Sequence, residues 1–368
     1  MNKILTLLKG ADKLIIAIIL ALGVISLLML ESTVYDGGFV MSRTVLIQFI
    51  AYVLGFGLLF AAQLVDYQFF DGLEKYLYII GLLLLLSVYI PGLGLSLYGS
   101  RAWISLGFTT LQPSEFVKII FAIVNAGYLS RHQDELDTFL GFIKAGLYAA
   151  PMILIVLKED LGSALVYIVM WLFMVFYAGV KLKVFLEALL IVLLSVPIVY
   201  KFLDDYQKER IEAFLHPDNL SLSGNYQVWQ SKVAMGSGGF FGKGLFNGTQ
   251  KTLDFIPVQQ SDFIFSVIVE ELGFIGGAVV IFLYAALLTR FARTVERCDN
   301  LYGALIVIGF LGMLLFQIFE NIAMTMGMMP VTGITLPFLS GGGTSVIASL
   351  ISIGIVLNVG INSQKNTF

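Results

Sequence analysis

The chain has 368 residues, of which 58% are hydrophobic and 13% charged, with a formal net charge of −3; a soluble domain carries roughly 25% charged residues. That balance excludes a water-soluble globular enzyme, and the scattered basic residues exclude a nucleic-acid-binding stripe. The single cysteine, Cys298, excludes an internal disulfide and reads as an incidental thiol, while His132 and His216 lie too far apart to begin a zinc site.

Long apolar runs match the roughly 17 to 25 residues that an α-helix needs to cross a hydrocarbon core about 30 Å thick. They predict ten spans, at about 14–31, 43–64, 75–96, 114–130, 139–157, 160–180, 183–203, 263–289, 301–326 and 341–361. Lys3, Lys9 and Lys13 precede the first run and no small-residue cleavage site follows it, so it reads as a retained span rather than a signal peptide. An even number of spans puts both termini on one side. With the N-terminus inside, the inner segments hold Lys75, Arg131, Lys144, Lys181, Lys183, Arg290, Arg293, Arg297 and Lys365 besides those first lysines, and the short outer loops hold only Arg43, Arg101 and Lys158. Both termini are therefore expected in the cytoplasm.

The expected fold is an all-α membrane protein: one integral membrane domain over 1–368, a polytopic bundle of about ten transmembrane helices with one large extracytoplasmic loop. That loop runs from about 204 to 262 between spans seven and eight. Its Trp229, Phe240, Phe241, Leu245, Phe255 and Ile256 predict an ordered cap at the membrane interface rather than a disordered linker. No internal repeat is visible, which disfavours the inverted-repeat transporters.

Ionisable groups inside a membrane are costly, so each is a functional candidate, weighed against simple helix-to-helix pairing. Glu115 and Lys118, in QPSEFVK, are three apart and share a helix face, either as a cavity lining or as a lock between helices; Ser114 is the expected helix cap. Arg101 in GSRAWI and Asp160 in KEDLGS each read alone as solvated boundary charges. Under the one topology, however, Arg101, Glu115, Lys118, Asp160, Asp262 and the Gly-rich stretch 340–343 converge at the outer surface, and that convergence predicts a site. Asp262 closes the long loop where the eighth span begins, where it serves either as a helix cap or as a general base. Glu270 and Glu271 lie about 12 Å deeper, at 1.5 Å per residue, and at least one is expected to hydrogen-bond between helices. The run GSGGFFGKG fails the P-loop pattern; either it is a flexible turn or its backbone N–H groups receive a pyrophosphate with help from Lys232 or Lys243.

Taken together and in order, GSRAWISLGFTTLQPSEFVKI, DLGSALV, RIEAFLHP, YQVWQSKVAMGSGGFFGKG, SDFIFSVIVEELGFIGG and GMMPVTGITLPFLSGGGTS resemble the SEDS family (shape, elongation, division and sporulation), RodA/FtsW type. The resemblance covers nearly the whole chain. It implies an inverting peptidoglycan glycosyltransferase that joins lipid II units on the outer face of the bacterial cytoplasmic membrane, with the rod-shape, elongation type favoured by the short N-terminal tail. It implies catalysis by Asp262, with Glu115, Lys118, Arg101 and Asp160 around a substrate cavity, and adds Gln230, Lys232, Lys243 and Ser340 as substrate-binding candidates. The expected partners are lipid II, the nascent lipid-linked strand, membrane lipids and a single-span class B penicillin-binding protein. No cofactor is evident, although a divalent cation is compatible with the chemistry. Two departures stand out: Lys158-Glu159-Asp160 replaces the family's Gln-Pro-Asp, and Ser340-Gly341-Gly342-Gly343 replaces Ser-Tyr-Gly-Gly. A lipid II flippase, a scaffold for a partner polymerase, and a division or sporulation paralogue remain as alternatives.

Overall fold

The computed structural model describes residues 10, 12–35, 42–97, 100–105, 107, 109–202, 205–222, 224–249 and 259–365. Its long helices are α1 (Lys13–Val34), α2 (Arg43–Leu64), α3 (Glu74–Leu86), α4 (Pro113–Arg131), α5 (Phe139–Glu159), α6 (Leu161–Tyr177) and α7 (Leu182–Phe202). Then come α8 (Asp205–Leu215), α9 (Asn225–Gly238), α10 (Ile264–Glu296), α11 (Leu301–Thr325) and α12 (Gly343–Lys365). Side chains start several of them by satisfying a first-turn N–H. Asp12 accepts from Leu14 N at 3.0 Å and Ser42 from Val45 N at 3.2 Å. Thr138 accepts from Gly141 N at 3.1 Å and Asn300 from Tyr302 N at 3.0 Å.

An α-helix occupies at least part of each expected span, and six among the described residues are long and apolar enough to cross a membrane: α1, α2, α5, α10, α11 and α12. The third expected span is the largest departure. Helix α3 has 13 residues, about 20 Å at 1.5 Å per residue, and gives way to an antiparallel sheet. Strand β1 (Gly94–Leu97) pairs with β2 (Ser100–Ser105), and β2 with β3 (Thr110–Leu111). The all-α expectation is corrected to that extent. The expected loop carries α8 and α9 among its described residues; Phe255 and Ile256 lie outside the described residues.

Helices α11 and α12 form the centre, with 72% and 78% of their apolar windows buried against 28–44% for the other four. Small residues allow the close approach on which membrane packing depends: a Cβ at Gly354 of α12 would lie 2.5 Å from the Leu59 carbonyl of α2. Helix α10 breaks at Gly273, whose φ of +71° is left-handed. The break frees carbonyls one turn earlier, and the glycine run docks there: Lys243 N donates to Glu270 O and Gly244 N to Glu271 O, both at 3.0 Å. A Cβ at Gly273 would stand 2.3 Å from Gly242 N, so backbone meets backbone and no side chain fits.

Candidate active site

At the end of the bundle where α4, α6 and α10 begin, a polar cavity of about 540 Å³ opens. Pro113 is the first residue of α4, a position where its missing N–H costs nothing. The helix therefore starts one residue before the expected cap, and Ser114 lies in its first turn, its carbonyl accepting from Tyr167 Oη at 2.7 Å. One turn on, Lys118 Nζ lies 2.6 Å from Glu115 Oε1; both side chains are buried and both line the cavity. The helical spacing thus yields a desolvated ion pair that is also part of a wall.

Asp160 separates α5 from α6 and caps α6, accepting from Gly162 N at 3.0 Å and Ser163 Oγ at 2.5 Å. Burial pushes its carboxyl above the ordinary value, against the pull of those bonds and of the Arg210 charge. Asp262 is different. Helix α10 starts at Ile264 behind Phe263 with no side-chain cap bond, so the Asp262 carboxylate is not used in capping and lines the cavity. Burial pushes it up to about 6, opposed by Ser261 and Arg210 and reinforced by the like charge of Asp160.

The turn carrying Asp262 is fixed through its backbone. Asn321 Nδ2 donates to Asp262 O at 2.9 Å and to Ile334 O at 2.8 Å. Gly341 N donates to Gln260 O at 2.8 Å, and Ser340 Oγ to Ser261 O. The facing loop is itself hung carbonyl by carbonyl from buried side chains of three helices. Tyr284 donates to Pro337 O, Tyr52 to Phe338 O, Ser26 to Leu339 O at 2.8 Å and Gln48 to Ser340 O at 3.0 Å. Phe338 has φ +65°, a conformation that a bulky residue holds only when its surroundings impose it.

Glu115, Lys118, Asp160 and Asp262 thus share one cavity. The other candidates do not line it. Arg101 sits on β2 among Ser100, Ala102 and Trp103, which do. Gln230 is buried and donates to Tyr226 Oη at 2.9 Å. Ser340 stabilises the Asp262 turn as described. Lys232 lines a neighbouring cavity of about 200 Å³. Lys243 is engaged elsewhere: its Nζ lies 2.7 Å from Glu270 Oε1 and 2.6 Å from Thr249 Oγ1. Glu270 and Glu271 both knit this segment, Glu271 accepting from Ser32 Oγ at 2.6 Å and Phe246 N at 3.0 Å. Lys243 N and Gly244 N are engaged by α10, so these two N–H groups are not free for a pyrophosphate, one of the two readings of the run. Several cavity residues escaped sequence reasoning, among them Gln112, Gln227, Gln317 and Thr332, and the charged one is Arg210. Arg210 of α8 donates to Thr332 O at 3.0 Å and borders both cavities. Its only sequence signal is its place at the head of RIEAFLHP.

A helical membrane bundle that pools two carboxylates, a buried acid–base pair and an arginine at one mouth defines a membrane-embedded protein acting on a polar group at one leaflet. The family model described as cell cycle protein, of FtsW, RodA and SpoVE, matches residues 12–365, and the chain belongs to that family. It is 35% identical over 364 residues to stage V sporulation protein E of Bacillus subtilis, covering 95% of this chain and 96% of the relative. It is 34% identical over 291 residues to peptidoglycan glycosyltransferase MrdB of Escherichia coli, covering 79% and 78%. A solved structure described as structural coordination of polymerization and crosslinking by a peptidoglycan synthase complex superposes with a TM-score of 0.81 at 31% identity, covering 96% of this chain and 98% of that one.

Proposed function

We propose that this chain is a peptidoglycan glycosyltransferase that joins lipid II units into glycan strands on the outer face of the bacterial cytoplasmic membrane. The observation that carries the reading is the Asp262 carboxylate, which faces the cavity without capping a helix and stands beside Asp160 and Arg210. Its relatives' names support the reaction class. Asp262 takes the proton from the sugar 4-hydroxyl of an incoming lipid II as that oxygen attacks the anomeric carbon of the growing strand. The bond from that carbon to the diphosphate breaks with inversion, and the polyprenyl diphosphate departs with the electron pair. Arg210 and Lys118 offset the charge that develops on it, since preorganised cations in a water-poor site act where charge appears. Arg101, Gln230, Lys232, Lys243 and Ser340 act outside this cavity or through the backbone.

The work belongs to cell-wall elongation, in concert with a single-span class B penicillin-binding protein; the solved synthase complex supports such a partner. The test is lipid II polymerisation by the purified protein with its transpeptidase. Wild type makes strands, whereas Asp262→Asn and Asp262→Ala, still folded and partner-bound, lose about 10²–10⁴ in rate, the range expected for removing a general base. Normal polymerisation by both variants sinks the assignment.

A further inference from the structure

We propose that the end of the bundle opposite the Asp262 cavity carries a binding site for one anionic phospholipid of the other leaflet. Between the start of α1, the end of α10 and the end of α12 lies a cavity of about 440 Å³. Arg290 and Arg293, three apart, face it from one side of α10, Arg297 faces it from the cap just past the end of that helix, and Lys13 faces it from α1. Against these four cations stands one lining carboxylate, Asp12, which takes a hydrogen bond from Arg290 Nε at 2.6 Å. Among the described residues the side chains of Lys13, Arg293 and Arg297 make no hydrogen bond or ion pair, so the cavity keeps a surplus of positive charge. The remaining wall is apolar: Leu14 from α1, with Val356 and Leu357 from α12.

Cations at the rim and aliphatic groups beneath match a glycerophospholipid, with the phosphodiester at the arginines and the glycerol and first methylenes on the floor. Basic pockets between membrane helices are a recurrent form of such recognition. Asp262 and Arg290 are 28 positions apart, about 40 Å along α10, so the site is separate from the cavity described above and does not rest on the glycosyltransferase reading. By the charge bias of the loops it faces the cytoplasm. An occupant there ties α1 to α10 through a group that belongs to neither.

The test measures lipid retention by the full-length protein in detergent, by native mass spectrometry, with phosphatidylglycerol, phosphatidylcholine and inorganic phosphate as probes. Each cation near a lipid surface is worth about a fivefold change in affinity, so Arg293→Gln with Arg297→Gln lowers phosphatidylglycerol affinity about 30-fold. The wild type retains one phosphatidylglycerol in preference to phosphatidylcholine, and the double variant loses that preference. Arg293→Lys with Arg297→Lys keeps the charge and restores most of it, which separates a charge effect from misfolding. Three results overturn the proposal: equal retention by wild type and the glutamine variant, no preference over phosphatidylcholine, or displacement by millimolar inorganic phosphate, which marks a small-anion site instead.

Discussion

Asp262 is held in a position that suits a base and costs the fold. Its carboxyl is raised by burial from 3.8 to about 6, so it is ionised at neutral pH yet still basic enough to accept a proton. A base acts only when deprotonated; polymerisation is therefore flat above pH 6 and falls about tenfold per unit below it, read from rate against pH. The stability effect has the opposite sign. Between pH 3.8 and about 6 the folded chain holds a proton that the unfolded chain has released, so this group's contribution is lost as pH rises through 6. Asp262→Asn is accordingly more stable than wild type at pH 8 by about 3 kcal/mol, visible as a higher melting temperature in detergent. Glu115 and Lys118 present the reverse case. Their ion pair is desolvated, and Lys118→Met leaves an unpaired buried carboxylate at a cost of about 3–5 kcal/mol. Lys118→Met combined with Glu115→Leu recovers most of that stability but not the rate, which distinguishes a cavity wall from a simple lock.

At the scale of elements, the Asp262 turn is only as fixed as the 337–340 loop beside it, and that loop hangs from Tyr284, Tyr52, Ser26 and Gln48. Removing a donor from a buried carbonyl costs about 1–3 kcal/mol. Tyr284→Phe therefore lowers the melting temperature and also lowers the maximal rate, while leaving the apparent lipid II affinity nearly unchanged; a melting change with no change in rate removes the positioning role. None of these four donors was legible in the sequence, because each is an ordinary polar residue in an apolar run and its partner lies between 53 and 313 positions away. The helices themselves were legible from apolar length, and Glu115 and Lys118 from their spacing. The sheet was missed because Leu93, Leu95 and Leu97 keep the stretch apolar past Pro91-Gly92, the turn signal that in fact separates the helical run from the strand. The ion pair of Lys243 was not legible because a glycine run with a lysine carries a local anion-binding signature. What decides its role is Glu270, 27 positions on and reached only through the break at Gly273.

Across the whole molecule the polar groups are unevenly distributed, and this separates a polymerase from a flippase. Past Lys118, α4 buries Phe121, Val124 and Leu129 completely; the facing half of α11 buries Leu305, Ile306, Val307 and Phe310, and α6 buries Met170 and Met174. Asn125, the polar residue within this stretch of α4, donates back to Phe121 O at 2.9 Å. From residue 119 to 129 the plug is about 15 Å thick. A diphosphate carried through it would lose its hydration with no partners to replace it, a cost of tens of kcal/mol for isolated charges in a low-dielectric medium. The protein reconstituted into liposomes therefore moves fluorescent lipid II between leaflets no faster than empty liposomes do, measured by the fraction accessible to an external quencher over time. Acceleration that persists in Asp262→Asn gives the chain a transport path independent of the base and returns the flippase reading to first place.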